Sequence, residues 1–148
     1  MKSVLDKVTR DELATRISKL DKNSTAQWGK MNVYQMLRHC VLWEEWVASR
    51  QKQKQAFIGR LFGKMALKNM LKDDAPVKRN MPTKPEFVVT EAYDDVEDGK
   101  ERWTALLRSY EQYDKPQFVH FFFGPMSKEQ LGFFVYKHAD HHLRQFGC

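Results

Sequence analysis

The sequence predicts an all-α fold, a bundle of long helices, and two observations support this prediction. Apolar residues recur every three or four positions in four segments, residues 10–20, 32–51, 94–113 and 127–146. Three of these segments open with Thr, Asn or Ser followed three residues later by Glu or Gln, which is the pattern of a helix capping box. A chain of 148 residues is long enough to bury one core, so we expect a single domain, residues 1–148.

The composition indicates a folded protein with a well-hydrated exterior. Hydrophobic residues make up 42% and aromatic residues 13% of the chain, which argues against disorder, while charged residues make up 30%. No apolar run approaches the roughly 20 residues needed to span a bilayer, and the N-terminal residues lack the apolar stretch of a signal peptide. Cys40 and Cys148 have no disulfide-framework spacing. We therefore expect a cytoplasmic protein with free thiols and no membrane partner.

The first two helices are predicted from their caps. Thr9 with Glu12 predicts a helix from about residue 10 to residue 20. Asn32 with Gln35 predicts a second helix that continues to about Gln51. His39 lies at the edge of the apolar stripe of this second helix, one turn after Met36 and one turn before Trp43, so we expect it to face inward.

The segment 57–72 is predicted to form a basic amphipathic helix, although Gly59 and Gly63 weaken its helix propensity. Its apolar residues share one side, and basic residues recur every fourth position at Arg60, Lys64, Lys68 and Lys72. One interpretation is a helix that binds a membrane surface or a partner. The other, which we favour from the sequence, is a helix that lays its apolar side over the open side of the bundle.

The basic character of the chain is concentrated in the segment 50–84. The whole chain has a formal net charge of +6, yet this segment holds ten Lys and Arg residues against two acids, Asp73 and Asp74. Such a segment could face nucleic acid, anionic lipid or an anionic small substrate. A hydrated face with no partner is the more common outcome of a local charge excess, and we favour it.

The remaining elements follow in order along the chain. Residues 73–85 contain three prolines and no periodicity, which predicts an extended crossover, and residues 87–89 favour a short extended piece. A third long helix is predicted over 94–113, with Lys115-Pro116 after its end. Residues 118–125 are predicted to form a loop, after which Ser127 and Gln130 cap the final helix, residues 127–146.

The final helix carries the main functional signal. A rotation of about 100° per residue places His138 and His142 on one face, one turn apart, where they continue the apolar stripe of Leu131, Phe134 and Val135. Buried imidazoles need partners, and a divalent cation can take the lone pairs of both.

Two interpretations of these histidines remain open from spacing alone. In one, His39, His138 and His142 bind a single divalent metal and leave open positions for water and substrate, which is typical of a catalytic site. In the other, His39 is an isolated histidine at the edge of the core, while His141 and His142 interact as cations with the C-terminus of the last helix.

A family resemblance bears on this choice. The run Phe122-Phe123-Gly124-Pro125-Met126-Ser127, the run Tyr136-Lys137-His138-Ala139-Asp140-His141-His142-Leu143-Arg144-Gln145-Phe146 and the shorter Met36-Leu37-Arg38-His39 resemble signatures of the DinB-like (DinB/YfiT-like) superfamily of metal-dependent enzymes, and within it an uncharacterised branch. The resemblance implies an up-down-down-up four-helix bundle. It also implies a metal, commonly zinc or nickel, held by one histidine of the second helix and two of the last, which correspond to His39, His138 and His142.

Four further residues could lie at or near the site. His141 could replace His142 as a ligand, donate a hydrogen bond to a ligand or be exposed, and we treat it as a neighbour. His120 could reach the cavity mouth, although a structural loop contact is favoured. Glu44 is a candidate general base, with exposure to solvent the favoured alternative, so Glu44 and His141 are the candidate catalytic side chains. Cys40 is turned about 100° away from His39 and should not share its ion.

The resemblance implies a function as well as a fold. Members of the superfamily include transferases and isomerases that use low-molecular-weight thiols such as bacillithiol, mycothiol or glutathione. We therefore expect a metal-dependent S-transferase, or a hydrolase, that acts on a small electrophilic molecule, with the basic segment available for carboxylates of the thiol. Dimers are common in the superfamily, and apolar residues within 57–70 could supply a homodimer interface.

Two alternatives belong to other classes of protein. A non-catalytic bundle could bind nucleic acid or a protein partner through segment 50–84, although the segment lacks interleaved aromatics and a recognisable reading helix, so nucleic acid is disfavoured. A bundle could also retain a metal for stability alone.

Overall fold

A computed structural model describes residues 1–49, 54–91 and 95–148 of the protein. Its elements, in chain order, are α1 (Lys7–Ser18), α2 (Val33–Ala48), α3 (Phe57–Met70), α4 (Val96–Ser109), β1 (Gln117–His120), β2 (Gly124–Ser127) and α5 (Lys128–Gln145), with short 3-10 turns at Pro85–Phe87 and Tyr110–Gln112. The described residues are mostly helical, as predicted, but they are not all-α because β1 and β2 form a small sheet. Within these ranges, no helix combines the length and the apolar character that crossing a membrane would require.

The core lies among α1, α2, α4 and α5. Helix α2 packs along α4, and α1 packs against both α4 and α5. Gly99 allows α4 to approach α2 closely, because a Cβ atom there would lie 3.1 Å from the Cβ of Leu37. Each fully buried Leu or Ile side chain contributes roughly 1.5–3 kcal/mol through removal of apolar surface from water. The largest fully buried apolar side chains include Leu13, Ile17, Met36, Leu37, Trp103, Leu107, Leu131 and Leu143.

The predicted starts of α2 and α5 are confirmed. The side chain of Asn32 accepts a hydrogen bond from the Gln35 amide at 2.8 Å, and Gln35 Oε1 accepts one from the Asn32 amide at 3.0 Å. Ser127 and Gln130 form the same reciprocal pair at the start of α5. The predicted end of α2 at Gln51 and the predicted start of the third long helix at Asp94 lie outside the described residues.

Helix α1 begins earlier than predicted, and Thr9 is not its cap. The helix starts at Lys7 after Asp6, and Thr9 is buried within the first turn. Arg10 stabilises this earlier start because its guanidinium donates to the carbonyls of Val4 at 3.1 Å and Leu5 at 2.7 Å. These local hydrogen bonds hold the residues just before the helix, and the capping box predicted at Thr9 is not formed.

The loop predicted over residues 118–125 is instead a β-hairpin. Strands β1 and β2 are antiparallel, with Phe118 opposite Met126 and His120 opposite Gly124. Phe118 and Met126 are buried on the inner side of the hairpin, which gives two short strands an apolar face to pack on α5. Gly124 permits the turn because its φ of +79° is disfavoured for other residues. Residues 85–87 likewise form a 3-10 turn, where a short extended piece was expected to begin at Phe87.

Helix α3 packs with the opposite side from the one predicted. Five of its apolar side chains face outward, with exposed fractions of 76% for Phe57, 62% for Leu61 and 61% for Met65 among them. The buried residues are Gly59, Gly63 and Leu67. A Cβ atom at either glycine would collide with the carbonyl oxygen of Phe122 in the hairpin turn. The interpretation in which the apolar side covers the bundle is therefore wrong, because the glycine side allows a closer backbone approach.

Glu44 is buried between α2 and α4, whereas exposure to solvent was the favoured expectation. The side chain is 1% exposed, and its Oε2 accepts a hydrogen bond of 2.6 Å from the hydroxyl of Tyr110. Burial raises the pKa of Glu44 to about 8, because the charged carboxylate would lose its hydration. The group is therefore mostly protonated in the folded protein at neutral pH.

This raised pKa predicts a pH dependence of stability. The unfolded carboxyl group releases its proton near pH 4.5 and the folded one near pH 8, so the stabilising contribution is complete below pH 4.5 and is lost as the pH rises to 8. The slope is at most about 1.4 kcal/mol per pH unit. Glu44→Gln keeps an acceptor for Tyr110 and should flatten urea-derived unfolding free energies between pH 5 and pH 8. The exposed Glu101→Gln serves as control, and parallel curves for wild type and Glu44→Gln would contradict the prediction.

Candidate metal centre

Three histidine rings converge between α2 and α5. His39 extends from α2, and His138 and His142 extend from consecutive turns of α5. One ring nitrogen of each residue lies within 4.8 Å of the corresponding nitrogen of the other two. The Nε2 atoms of His39 and His138 are 3.3 Å apart. Two nitrogen ligands at zinc-like bond lengths in a tetrahedral arrangement would be about 3.4 Å apart.

The orientation of His39 is set by the 3-10 turn Pro85–Phe87. Its Nδ1 lies 2.8 Å from the carbonyl oxygen of Phe87, at the end of the 3-10 turn. A carbonyl oxygen only accepts hydrogen bonds, so Nδ1 carries the proton and Nε2 presents a lone pair. Burial lowers the pKa of His39, which favours the neutral ring.

A second hydrogen-bond chain orients His142. Its Nδ1 lies 2.9 Å from Oε1 of Gln145, and Nε2 of Gln145 donates to the carbonyl of Trp28 at 2.8 Å. The Trp28 contact fixes which end of the amide faces the ring, so His142 donates through Nδ1 and keeps its lone pair at Nε2. Burial is the main cause that lowers the pKa of His142 to about 3.

His138 is held by stacking. Its ring lies on the indole of Trp43, with centroids 4.4 Å apart and an interplanar angle of 26°. Burial lowers its pKa well below the usual value, and His142 and His39 lower it further. Its Nδ1 is buried and has no hydrogen-bond partner in the described part of the chain. Nε2 of His138 faces Nε2 of His39, which presents a lone pair. Either His138 carries its proton on Nε2 and donates it to His39, or a cation binds the Nε2 lone pairs of both rings.

These observations fit a divalent cation. Three neutral imidazoles offer nitrogen donors to one point, and imidazole suits zinc, nickel, copper and iron. Two of the rings have their second nitrogen bonded to an oxygen acceptor, as metal-binding histidines usually do. The remaining coordination positions would face a cavity.

That cavity has a volume of about 740 Å³. The three histidines form part of its wall, and α3 contributes Ala66 and Met70. Most of the other wall positions are aromatic or aliphatic, and polar groups are few. The apolar wall residues include Trp28, Met31, Trp43, Met81, Phe87, Val88, Val89, Phe121, Phe122, Phe123 and Phe134.

His120 both supports the hairpin turn and lines the cavity. Its Nδ1 accepts hydrogen bonds from the backbone amides of Phe122 at 3.1 Å and Phe123 at 3.2 Å. Two donors at Nδ1 place the proton of the neutral ring on Nε2. Burial, together with the charge of Lys84, lowers the pKa of His120 to about 3. The favoured loop contact is therefore present, and the ring also forms part of the cavity wall.

The other candidate residues are not members of the converging group, although the ring of His141 lies 5.1 Å from that of His142. His141 is half-buried, lies edge-on to Trp28 with ring centroids 5.8 Å apart and lines the same cavity. Glu44 faces α4 and is not among the wall residues of the cavity. Cys40 is buried against Met36, with its Sγ 3.7 Å from the thioether sulfur, and burial raises the pKa of its thiol.

Sequence reasoning missed the residues that orient the ligands. Gln145 follows His142 by three positions, a helical spacing that could have suggested a contact. The carbonyl of Phe87 gave no signal, because any residue supplies a carbonyl. Trp43 belongs to the predicted apolar stripe of α2. Its stacking on His138 is a contact between α2 and α5, which the periodicity of one helix does not predict.

The fold and the site define a mostly helical protein with a histidine-lined apolar cavity. The chain belongs to the family described as "Protein of unknown function (DUF1569)", whose model matches residues 2–147. Comparisons with curated proteins and with solved structures gave no match.

The hydrogen bond from His142 to Gln145 predicts a graded effect on metal affinity. Gln145→Leu removes the acceptor and should lower the affinity for Zn²⁺ roughly 10- to 100-fold, because the ring loses its fixed orientation. Gln145→Glu retains an acceptor oxygen for His142 but loses the donor to the Trp28 carbonyl, so it should lose less affinity than Gln145→Leu. Competition with a chromophoric chelator measures both, with circular dichroism to verify folding. Equal affinities for folded Gln145→Leu and wild type would contradict the assigned role of Gln145.

Proposed function

We propose that the protein is a metal-dependent enzyme of the DinB-like type, with His39, His138 and His142 as the ligands of one divalent cation, zinc or nickel. The observation that carries the proposal is the meeting of three ring nitrogens within 4.8 Å at the wall of a large apolar cavity. The proposal includes an up-down-down-up four-helix bundle, to which the hairpin and α3 are additions, and a cytoplasmic location.

The ion would lower the pKa of a thiol or water and polarise a carbonyl group. The protein itself orients the ligands through Phe87 and Gln145. Trp43 and Phe87 are buried beside the rings and give them an apolar surrounding. His120 contributes an Nε2–H donor, so a substrate oxygen that reaches this ring would meet a donor and not a lone pair.

The cavity favours a small substrate with an apolar body. Its volume lies within the range of about 300–1,000 Å³ that is usual for small-molecule sites, and its wall is mostly apolar. We propose an S-transferase that joins the sulfur of a low-molecular-weight thiol, such as bacillithiol, to an electrophilic carbon while a leaving group departs. A hydrolase is the nearest variant, with water in the place of the thiol.

A neighbouring groove supports a thiol that carries carboxylates. This groove has a volume of about 330 Å³ and shares Trp28, Val77 and His141 with the cavity. The guanidinium of Arg79 lies over the Trp28 ring, 4.2 Å from its centroid. A planar cation held in this way can bind a carboxylate in bidentate fashion.

The ligand assignment predicts the metal content of matched variants. Protein purified without a nickel column should contain about one equivalent of metal per chain. His39→Ala, His138→Ala and His142→Ala should each lose most of it, because two imidazoles hold a cation far less tightly than three. His141→Ala should retain it, since His141 lies outside the converging group. Elemental analysis measures all four variants.

Two outcomes would contradict the proposal. Full metal content in any two of the three ligand variants would remove the ligand assignment. The second outcome is a bound metal without metal-dependent activity. If neither a thiol nor water consumes chromogenic electrophiles faster when the ion is bound, the structural-metal alternative is favoured. A His138→Ala variant that has lost the metal and keeps the wild-type melting temperature would count against a purely structural ion.

A further inference from the structure

Helix α3 presents an uncovered apolar face to solvent. Its five outward side chains are 50–76% exposed, and they lie on one side of a single helix. Contiguous apolar surface of this kind on a folded domain usually marks a place of interaction. The five residues, which we call the outer face of α3, are Phe57, Ile58, Leu61, Phe62 and Met65.

Cations follow one edge of the outer face. A rotation of about 100° per residue places Arg60, Lys64 and Lys68 in a row beside the apolar residues. All three are exposed, and none forms an ion pair within the part of the chain that the structure describes. Helix α3 contains no acidic residue. The face therefore combines apolar area with positive charge that is not neutralised from within the helix.

We infer that the outer face of α3 docks onto an anionic lipid surface. Apolar side chains would enter the boundary between headgroups and acyl chains, and the row of cations would lie at the lipid phosphates. A helix of 14 residues is about 21 Å long, which is too short to span a bilayer and suits a position parallel to the surface. The inference goes beyond the proposed function and does not depend on a bound metal.

Charge complementarity favours lipid over a second copy of the chain. Two outer faces packed together would bring two rows of unneutralised cations into one interface, between chains that each carry a formal net charge of +6. Phosphates of a nucleic acid would satisfy the cations but leave five large apolar side chains in water. An anionic bilayer satisfies both halves of the face, and this changes the sequence-based expectation of no membrane partner.

The helix is held firmly enough to act as a platform. Its inner side meets the hairpin through Gly59 and Gly63, and the Ala56 amide donates to the carbonyl of Phe121 at 2.8 Å. Ala66 and Met70, on the same inner side, line the cavity. Docking of the outer face would therefore place the apolar cavity one helix away from the lipid.

Sedimentation with vesicles tests the inference. The intact protein should partition onto vesicles of phosphatidylcholine with about 30% phosphatidylglycerol much more strongly than onto phosphatidylcholine alone, and less so at high salt. Lys64→Gln/Lys68→Gln should lower the partition coefficient on the order of 30-fold, since each cation near an anionic surface contributes about fivefold. Lys19→Gln/Lys22→Gln has the same net charge, lies on another surface and should change it less than about threefold.

The apolar contribution needs its own pair of variants. Leu61→Ser should weaken binding roughly fivefold or more, whereas Val8→Ser, at an 81% exposed position on α1, should not. No binding of the intact protein at low salt, or equal losses for the two double variants, would overturn the inference. So would a wild-type dimer that dissociates in Leu61→Ser without vesicle binding, or binding to duplex DNA in place of vesicles.

Discussion

Three imidazole rings meet in an apolar wall, and His39 and His142 are buried while His138 is half-buried. Their six ring nitrogens need hydrogen-bond or metal partners, and several neighbouring residues supply them. The carbonyl of Phe87, in the 3-10 turn Pro85–Phe87, accepts a hydrogen bond from His39, and Gln145 in the last turn of α5 accepts one from His142. A buried polar group without a partner costs about 1–3 kcal/mol, so these contacts stabilise the positions of the two rings. Burial keeps the rings neutral, and neutral rings retain the lone pairs that a cation would need.

The cavity exists because α2 and α5 are separated by large side chains. Helix α2 packs closely on α4, with Gly99 against Leu37, whereas α2 and α5 meet through large side chains such as Trp43, Phe134 and His138. The open side is closed by the crossover, the hairpin and the inner side of α3. Elements outside the main helices therefore form much of the wall, and they determine the shape that a substrate would meet.

Local signals in the sequence were sufficient for part of this arrangement. The capping boxes of α2 and α5 act within four residues. Helical phase predicted that His39, His138 and His142 face inward, and the family resemblance implied that they share one site, where the structure brings their ring nitrogens within 4.8 Å. Metal binding itself stays a prediction. The hairpin was missed because its two short strands depend on packing of Phe118 and Met126 on the helices. The burial of Glu44 was missed because periodicity does not distinguish a charged group on a helix-facing side from an exposed one.

The packing side of α3 was predicted wrongly because it, too, depends on a contact with another element. Gly59 and Gly63 were counted as a loss of helix propensity, but they are the contact surface, and the backbone of Phe122 is their counterpart. The amide of that same Phe122 donates to Nδ1 of His120 on the cavity side. The carbonyl oxygen of Phe122 therefore contacts α3 on the outer side of the turn. Its amide donates to His120 on the inner side and so helps to fix the tautomer of that ring. A side chain added at Gly59 or Gly63 would therefore displace the same turn that donates hydrogen bonds to His120.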